Sequence, residues 1–159
     1  MKIAVISDTH RFEKYMKMAK EHIKDSQILI HLGDNAEDIK YFTKDFNGEF
    51  YAVKGNCDYG NEYNKEIILN KCGINILITH GDLYGVKSDV TNLYYKALEV
   101  NASIALFGHT HMKYLEEYNG ITLINPGSIG LPRLGGRNIA FIEIEEKARP
   151  KVYFKNIIE

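Results

Sequence analysis

The sequence predicts an α/β fold in which parallel strand pairing comes first and antiparallel hairpins follow. Two observations carry this. Through the first third of the chain, short β-branched apolar runs alternate with helix-compatible stretches, the pattern of βαβ units. Further along, turn dipeptides join β-prone runs with no helix between them. Residues 2–7, KIAVIS, read as a buried strand because β-branched residues dominate a short apolar run. A helix is expected from about Glu13 to Ile23, before KDSQ. QILIHL repeats the strand signal, AEDIKYFTKDF the helix signal and EFYAVKG the strand signal. Next, KEIILN and INILITH flank KCG, which reads as a hairpin turn. Residues 88–100, SDVTNLYYKALEV, carry apolar residues at helical spacing with Ser88 as the expected N-cap. SIALFG is the following strand. In KYLEEYNGITLIN, Asn-Gly separates two β-prone runs and marks a hairpin, because both residues tolerate positive φ. NIAFIEIEE and KVYFKNII, with KARP between them, are expected as antiparallel strands.

A chain of 159 residues with 45% hydrophobic residues has enough material for one core, so a single domain over 1–159 is expected. Twenty Lys and Arg against 21 Asp and Glu give a net charge of -1, which carries no nucleic-acid or membrane-surface signal. The apolar run in MKIAVISDTH is too short for a secretory segment, and no run approaches the ~18 apolar residues of a membrane span. Cys57 and Cys72 cannot build a disulfide framework, and their spacing matches no zinc knuckle. A cytoplasmic address is the expectation, with a homodimer plausible from exposed sheet edges.

The polar residues at the strand ends carry the chemistry. SDTH follows the first strand, LGDN the second, KGNCD the third, THGD the fifth and GHTH the sixth. In open α/β sheets ligands gather at the carboxyl ends of strands, so residues a hundred positions apart can converge there. Asp8 and His10, two apart on what reads as extended backbone, can face one metal. Asp34 offers two carboxylate oxygens and Asn56 a neutral amide oxygen. With His80, His109 and His111 they form a mixed nitrogen and oxygen donor set. Such a set suits Mn, Fe, Co, Ni or Zn and is poor for a site built only for Mg or Ca. Taken singly, each motif has an ordinary reading: SDTH as a helix cap, GD and GN as turns, His80 as a structural histidine. Five such motifs in order argue against coincidence.

DTH, GD, GN, HG and GHTH match, in order, the five-motif signature of calcineurin-like metallophosphoesterases. The short length, GNCD and NPGSIGLPR at 125–133 resemble the small YfcE-type phosphodiesterase branch. The resemblance implies a four-layer αββα sandwich of two mixed sheets flanked by helices. It also implies that Asp8, His10 and His111 hold one divalent transition metal, that Asn56, His80 and His109 hold a second, and that Asp34 bridges them. The implied activity is attack of a metal-bridging hydroxide on a small phosphodiester, with Asn56 helping to stabilise charge on phosphorus oxygens. Phosphomonoesterase or protein-phosphatase activity at the same site, and a non-catalytic scaffold like the retromer subunit, are the alternatives. Many larger relatives carry histidine after GN, where Cys57 stands here. Cys57 reads as packing residue, pocket wall or acid, and Asp58 as an assisting acid or a turn cap. Arg11 and Arg133 are candidate phosphate contacts. His31 reads as a supporting residue rather than a ligand, and Tyr94, Tyr95 and Tyr114 as cleft or core.

Overall fold

A computed structural model describes residues 1–158 of the chain. Strands β1 (Lys2–Ile6), β2 (Ile28–His31) and β3 (Glu49–Ala52) alternate with helices α1 (Glu13–Ile23) and α2 (Ile39–Thr43). There follow β4 (Glu66–Lys71), β5 (Ile74–Thr79), helix α3 (Thr91–Glu99) and β6 (Ile104–Leu106). The chain continues through β7 (Lys113–Tyr118), β8 (Ile121–Pro126), β9 (Asn138–Glu143) and β10 (Lys151–Asn156). One five-stranded sheet has the order β10-β9-β1-β2-β3 and the other β4-β5-β6-β8-β7. β1, β2 and β3 pair in parallel, as do β5, β6 and β8, and every other pairing is antiparallel.

The period-two alternation of strands sets the layers. Ile3 and Val5 of β1 face inward and meet Ile76, Ile78, Ile104 and Leu106 of the opposite sheet. Ala4 and Ile6 face outward, where Met16, Ala19 and Ile23 of α1 and Ile39 and Phe42 of α2 cover them. On the far side, Leu93 and Ala97 of α3 pack against Leu77, Ala105 and Leu123. The result is the αββα sandwich, with the central strands of each sheet buried on both faces. Apolar residues three to four apart on α1 and α3 give each helix one stripe to bury. Both short hairpins close through residue pairs with positive φ, Cys72-Gly73 and Asn119-Gly120, as a tight two-residue connection requires.

Three local expectations differ from the structure. Ser88 does not cap α3; the Asp89 carboxylate accepts the Thr91 N–H instead (2.9 Å), one residue nearer the helix. The helix over 36–46 is shorter, a 3-10 turn (Ala36–Asp38) running into the five residues of α2. Asp8 and His10 are not on extended backbone, since β1 ends at Ile6 and both residues have left-handed φ, 52° and 47°.

Registers position the site. Ile6, His31 and Ala52 lie level across β1, β2 and β3, as do Ile78 and Leu106 across β5 and β6. The loops after these five strands therefore open at one edge of the sandwich, each sheet contributing to the same place. No described helix is long and apolar enough to cross a membrane.

Candidate metal centre

Two groups of donors form where those loops meet. Asp8, His10, Asp34 and His111 bring ligand-type atoms within 4.8 Å of one another, and so do Asp34, His80 and His109. Asp34 belongs to both groups through different oxygens. Its Oδ1 lies 3.4 Å from His80 Nε2, and its Oδ2 lies 3.9 Å from His10 Nε2. Asn56 Oδ1 joins the second group at 3.1 Å from His80 Nε2, which is also 3.1 Å from His109 Nδ1. In the first group Asp8 Oδ1 is 3.0 Å from His111 Nε2 and 3.9 Å from His10 Nε2.

The tautomers turn this proximity into a chemical statement. His80 Nδ1 donates to the Leu32 carbonyl at 2.7 Å, and His111 Nδ1 donates to the Leu131 carbonyl at 2.7 Å. In its neutral form each ring thus presents a lone pair at Nε2, His111 toward a carboxylate oxygen and His80 toward a carboxylate and an amide oxygen. Acceptors that converge on such a lone pair are satisfied by positive charge between them, either a proton on the ring or a metal ion. Asp8 Oδ1 and His10 Nε2 are moreover buried with no hydrogen-bond donor. A divalent cation fits both clusters, since nitrogen and oxygen donors would fill its coordination sphere. The same proximity couples the titration of these groups. Burial favours the neutral acid at Asp8, yet His111, His80 and the Ser7 hydroxyl outweigh it and hold its pKa below the ordinary value. The Asp8 carboxylate in turn raises the pKa of His111, while burial, with His80 and Lys87, lowers that of His109.

Holding these groups strains the backbone. Asp8, His10, Arg11, Asp34, Asn35, His109 and His111 all have left-handed φ. Among non-glycine residues that conformation is uncommon and concentrates at functional sites. Surrounding loops offset the strain. Ser128 donates to the Asp8 carbonyl (2.7 Å), which also receives the Gly130 N–H (3.0 Å). Arg137 in turn fixes this 127–131 loop by donating to the Ile129 and Gly130 carbonyls, its guanidinium stacked on Tyr15. The loops also approach closely: a Cβ on Gly55 would strike Asp34 Oδ1, and one on Gly108 would strike Ser7 Oγ and Asp8 Oδ2.

A buried relay under the site was only partly visible in the sequence. His31 accepts the Gly33 N–H at Nδ1 (3.1 Å), so its Nε2 donates to Thr9 Oγ1 (2.9 Å). Thr9 then donates to Asp38 Oδ2 (2.6 Å), which also accepts the Arg11 N–H (3.0 Å). The DTH and GD loops are thereby tied through one neutral imidazole. Burial pushes His31 down to about 4 from its ordinary 6.5. The unfolded chain therefore binds this proton near pH 6.5 and the folded chain only near pH 4. Stability from this residue is complete above pH 6.5 and is lost as pH falls toward 4, by about 2 kcal/mol at pH 5. Urea unfolding in chelator at pH 7 and pH 5 should show this loss in the wild type and a flatter response in His31→Gln. Equal acid sensitivity in both proteins contradicts the assignment.

The remaining candidate residues lie elsewhere or differently. Cys57 donates its backbone N–H to Asp34 Oδ1 (3.0 Å), and its Sγ is 3.6 Å from Asn56 Nδ2. Partial desolvation and the Asp34 carboxylate push the thiol up to about 11. Both oxygens of Asp58 are occupied by backbone: Oδ2 accepts from Asp34 and Gly55, Oδ1 from Asn35 and Ala36, at 2.8 to 3.1 Å. Arg11 and Arg133 are exposed, and among the described residues neither guanidinium has an ion pair; the Arg133 N–H donates to the His111 carbonyl (3.0 Å). Thr9, Asp38, Asn125, Ser128 and Arg137, which orient the donor loops, were not singled out by the sequence. For Ser128 the signal was the NPGSIG loop; Asp38 and Arg137 carried none.

Known proteins resemble this chain in sequence and fold. The family model for the calcineurin-like phosphoesterase superfamily domain matches residues 1–147. The probable metallophosphoesterase YsnB of Bacillus subtilis is 37% identical over 135 residues, covering 84% of this chain and 78% of that protein. A protein of Methanocaldococcus jannaschii named as a phosphodiesterase is 28% identical over 160 residues, covering 85% of this chain and 91% of its own. A crystal structure of a predicted phosphoesterase from Streptococcus pneumoniae superposes with a TM-score of 0.83 at 27% identity, over 99% of this chain and 90% of that one. The fold, the convergent donors and a family match over most of the sequence agree that the chain belongs to the calcineurin-like phosphoesterase superfamily.

Proposed function

We propose that the chain is a metal-dependent phosphodiesterase holding two divalent ions, with Asp8, His10 and His111 on one, Asn56, His80 and His109 on the other, and Asp34 shared. The observation that carries this reading is the division of Asp34, whose two oxygens face separate donor clusters. When bound, paired divalent ions lower the pKa of water and neutralise charge at phosphorus. The protein's part is preorganisation. Leu32 and Leu131 carbonyls fix the His80 and His111 tautomers, the Cys57 N–H orients the Asp34 carboxylate, and Asp8 Oδ2 is held by Ser7 and by the His109 N–H (3.3 Å). Asn56 adds a donor atom without adding negative charge, so its amide can also face an anionic ester.

The same geometry supplies little proton donation to a leaving oxygen. Both Asp58 oxygens accept backbone N–H groups, and Cys57 stands where a histidine would act. A general acid is worth about 10² to 10⁴ in rate, so diesters with aryl leaving groups should turn over at least about a hundredfold faster than alkyl ones. The test is stripping the protein, reconstituting it separately with Mn, Ni, Fe, Co and Zn, and assaying aryl and alkyl phosphodiesters beside monoesters. Elemental analysis should return two ions per chain. Equal aryl and alkyl turnover removes the leaving-group argument. Hydrolysis confined to monoesters favours a phosphomonoesterase, and metal uptake with no hydrolysis favours a scaffold.

A further inference from the structure

Beside the donor clusters lies a cavity of about 500 Å³ whose walls are mainly apolar. Val86 and Phe107 form its buried floor, with Tyr114 edge-on to Phe107 at 5.6 Å between ring centroids. Met112, Tyr118 and Leu134 form the rim and leave apolar surface open to solvent, Leu134 at 69% exposure. Two features join this cavity to the site. Thr110, which lines it, is the residue between His109 and His111. Lys87, also a lining residue, brings an ammonium to the same wall as Thr110. Among the described residues the exposed Lys87 ammonium makes no ion pair, so its charge is available to an anion at the mouth.

We propose that this cavity is a specificity pocket that receives an aromatic or similarly flat apolar ester group of the substrate, while Lys87 faces the phosphoryl anion. The proposal rests on the phosphodiesterase reading and names its substrate class: phosphodiesters with one bulky apolar ester and an acidic leaving group. The physical case is complementarity. A cavity of this size matches ordinary small-ligand sites, its aromatic walls suit a planar group, and exposed apolar rim residues lose water only when something covers them.

The test holds the leaving group constant. Metal-loaded protein is assayed with p-nitrophenyl diesters whose second ester is either methyl or 1-naphthyl. In parallel, binding of 1-naphthyl methylphosphonate and methyl methylphosphonate is measured by calorimetry. The naphthyl compounds should show KM and Kd lower by about tenfold or more, the scale of discrimination an apolar pocket gives. Leu134→Ala and Met112→Ala, both at partly exposed positions, should shrink that preference in both readouts. Lys87→Ala should weaken both phosphonates alike. Hydrolysis of both diesters with no naphthyl preference overturns the pocket and leaves the phosphodiesterase reading intact. Naphthyl-selective binding with neither diester hydrolysed supports the pocket and sinks the catalytic reading. Sedimentation showing a wild-type dimer that Leu134→Lys dissociates would assign the apolar rim to self-association and likewise overturn the proposal.

Discussion

Asp34→Ala is expected to lower phosphodiester hydrolysis by about 10³-fold or more, the several kcal/mol that a metal clamp supplies, and to abolish metal-linked stabilisation. Asp34 is nearly buried, and it is the one carboxylate common to both donor groups. Removing it takes a ligand from each cluster at once. A ligand that binds only the folded chain stabilises it by about 2.7 kcal/mol at a hundredfold excess over Kd. For a chain of this length that corresponds to a Tm rise of roughly 5–11 °C on metal addition. Wild-type protein should show such a rise, and Asp34→Ala and Asp34→Asn should show almost none. In chelator the asparagine variant should melt close to wild type, because the convergent acceptors of the apo site gain little from the second carboxylate. Thermal scans with and without metal separate these cases. A full metal-induced shift in Asp34→Asn would falsify the shared-ligand assignment.

How far the sequence anticipates this site depends on whether a residue acts through its own position or through neighbours. The donors were legible because each follows a strong strand signal, and strand ends gather wherever the sheets place them: Asp8 after KIAVIS, Asp34 after QILIHL, His80 after INILIT. The layer order required the family resemblance, since apolar periodicity fixes which face of a strand is buried but not which sheet it joins. β9 shows the difficulty. It pairs with β1 although 131 residues separate Ile6 from Asn138, and nothing local announces that return. The left-handed backbone at Asp8 and His10 was hidden for another reason. At Asp8, tertiary contacts from Ser128, Gly33 and Gly130 hold it, overriding the preference of L-residues for negative φ. Asp38 and Arg137 look like any surface charges in sequence, and their roles exist only once distant loops are docked.

Asp58 is where the two readings of one residue predict opposite results. Its carboxylate gathers four amide N–H groups, from Asp34, Asn35, Ala36 and Gly55. Successive N–H groups in a left-handed turn make a concavity for anions, and Asp34 and Asn35 have φ of 57° and 67°. An internal carboxylate therefore fills an anion nest at the base of the shared ligand. Charge-assisted bonds contribute about 1.5–3 kcal/mol apiece at best and are not additive, and Asp58 is only partly buried. Asp58→Ala should thus cost about 3–5 kcal/mol of stability, leave left-handed backbone without its acceptor and weaken metal affinity. Asp58→Asn, which keeps one acceptor oxygen, should lose about half as much. At saturating metal, kcat and the ratio of aryl to alkyl turnover should stay near wild type in the asparagine variant, because the reacting groups are unchanged. An acid that protonates the leaving oxygen behaves in the reverse way. Its loss leaves Tm and metal affinity intact and depresses alkyl turnover about 10²-fold or more while sparing aryl diesters. Melting curves, metal titration and the two substrate classes, measured on one variant, decide whether Asp58 positions Asp34 or donates a proton.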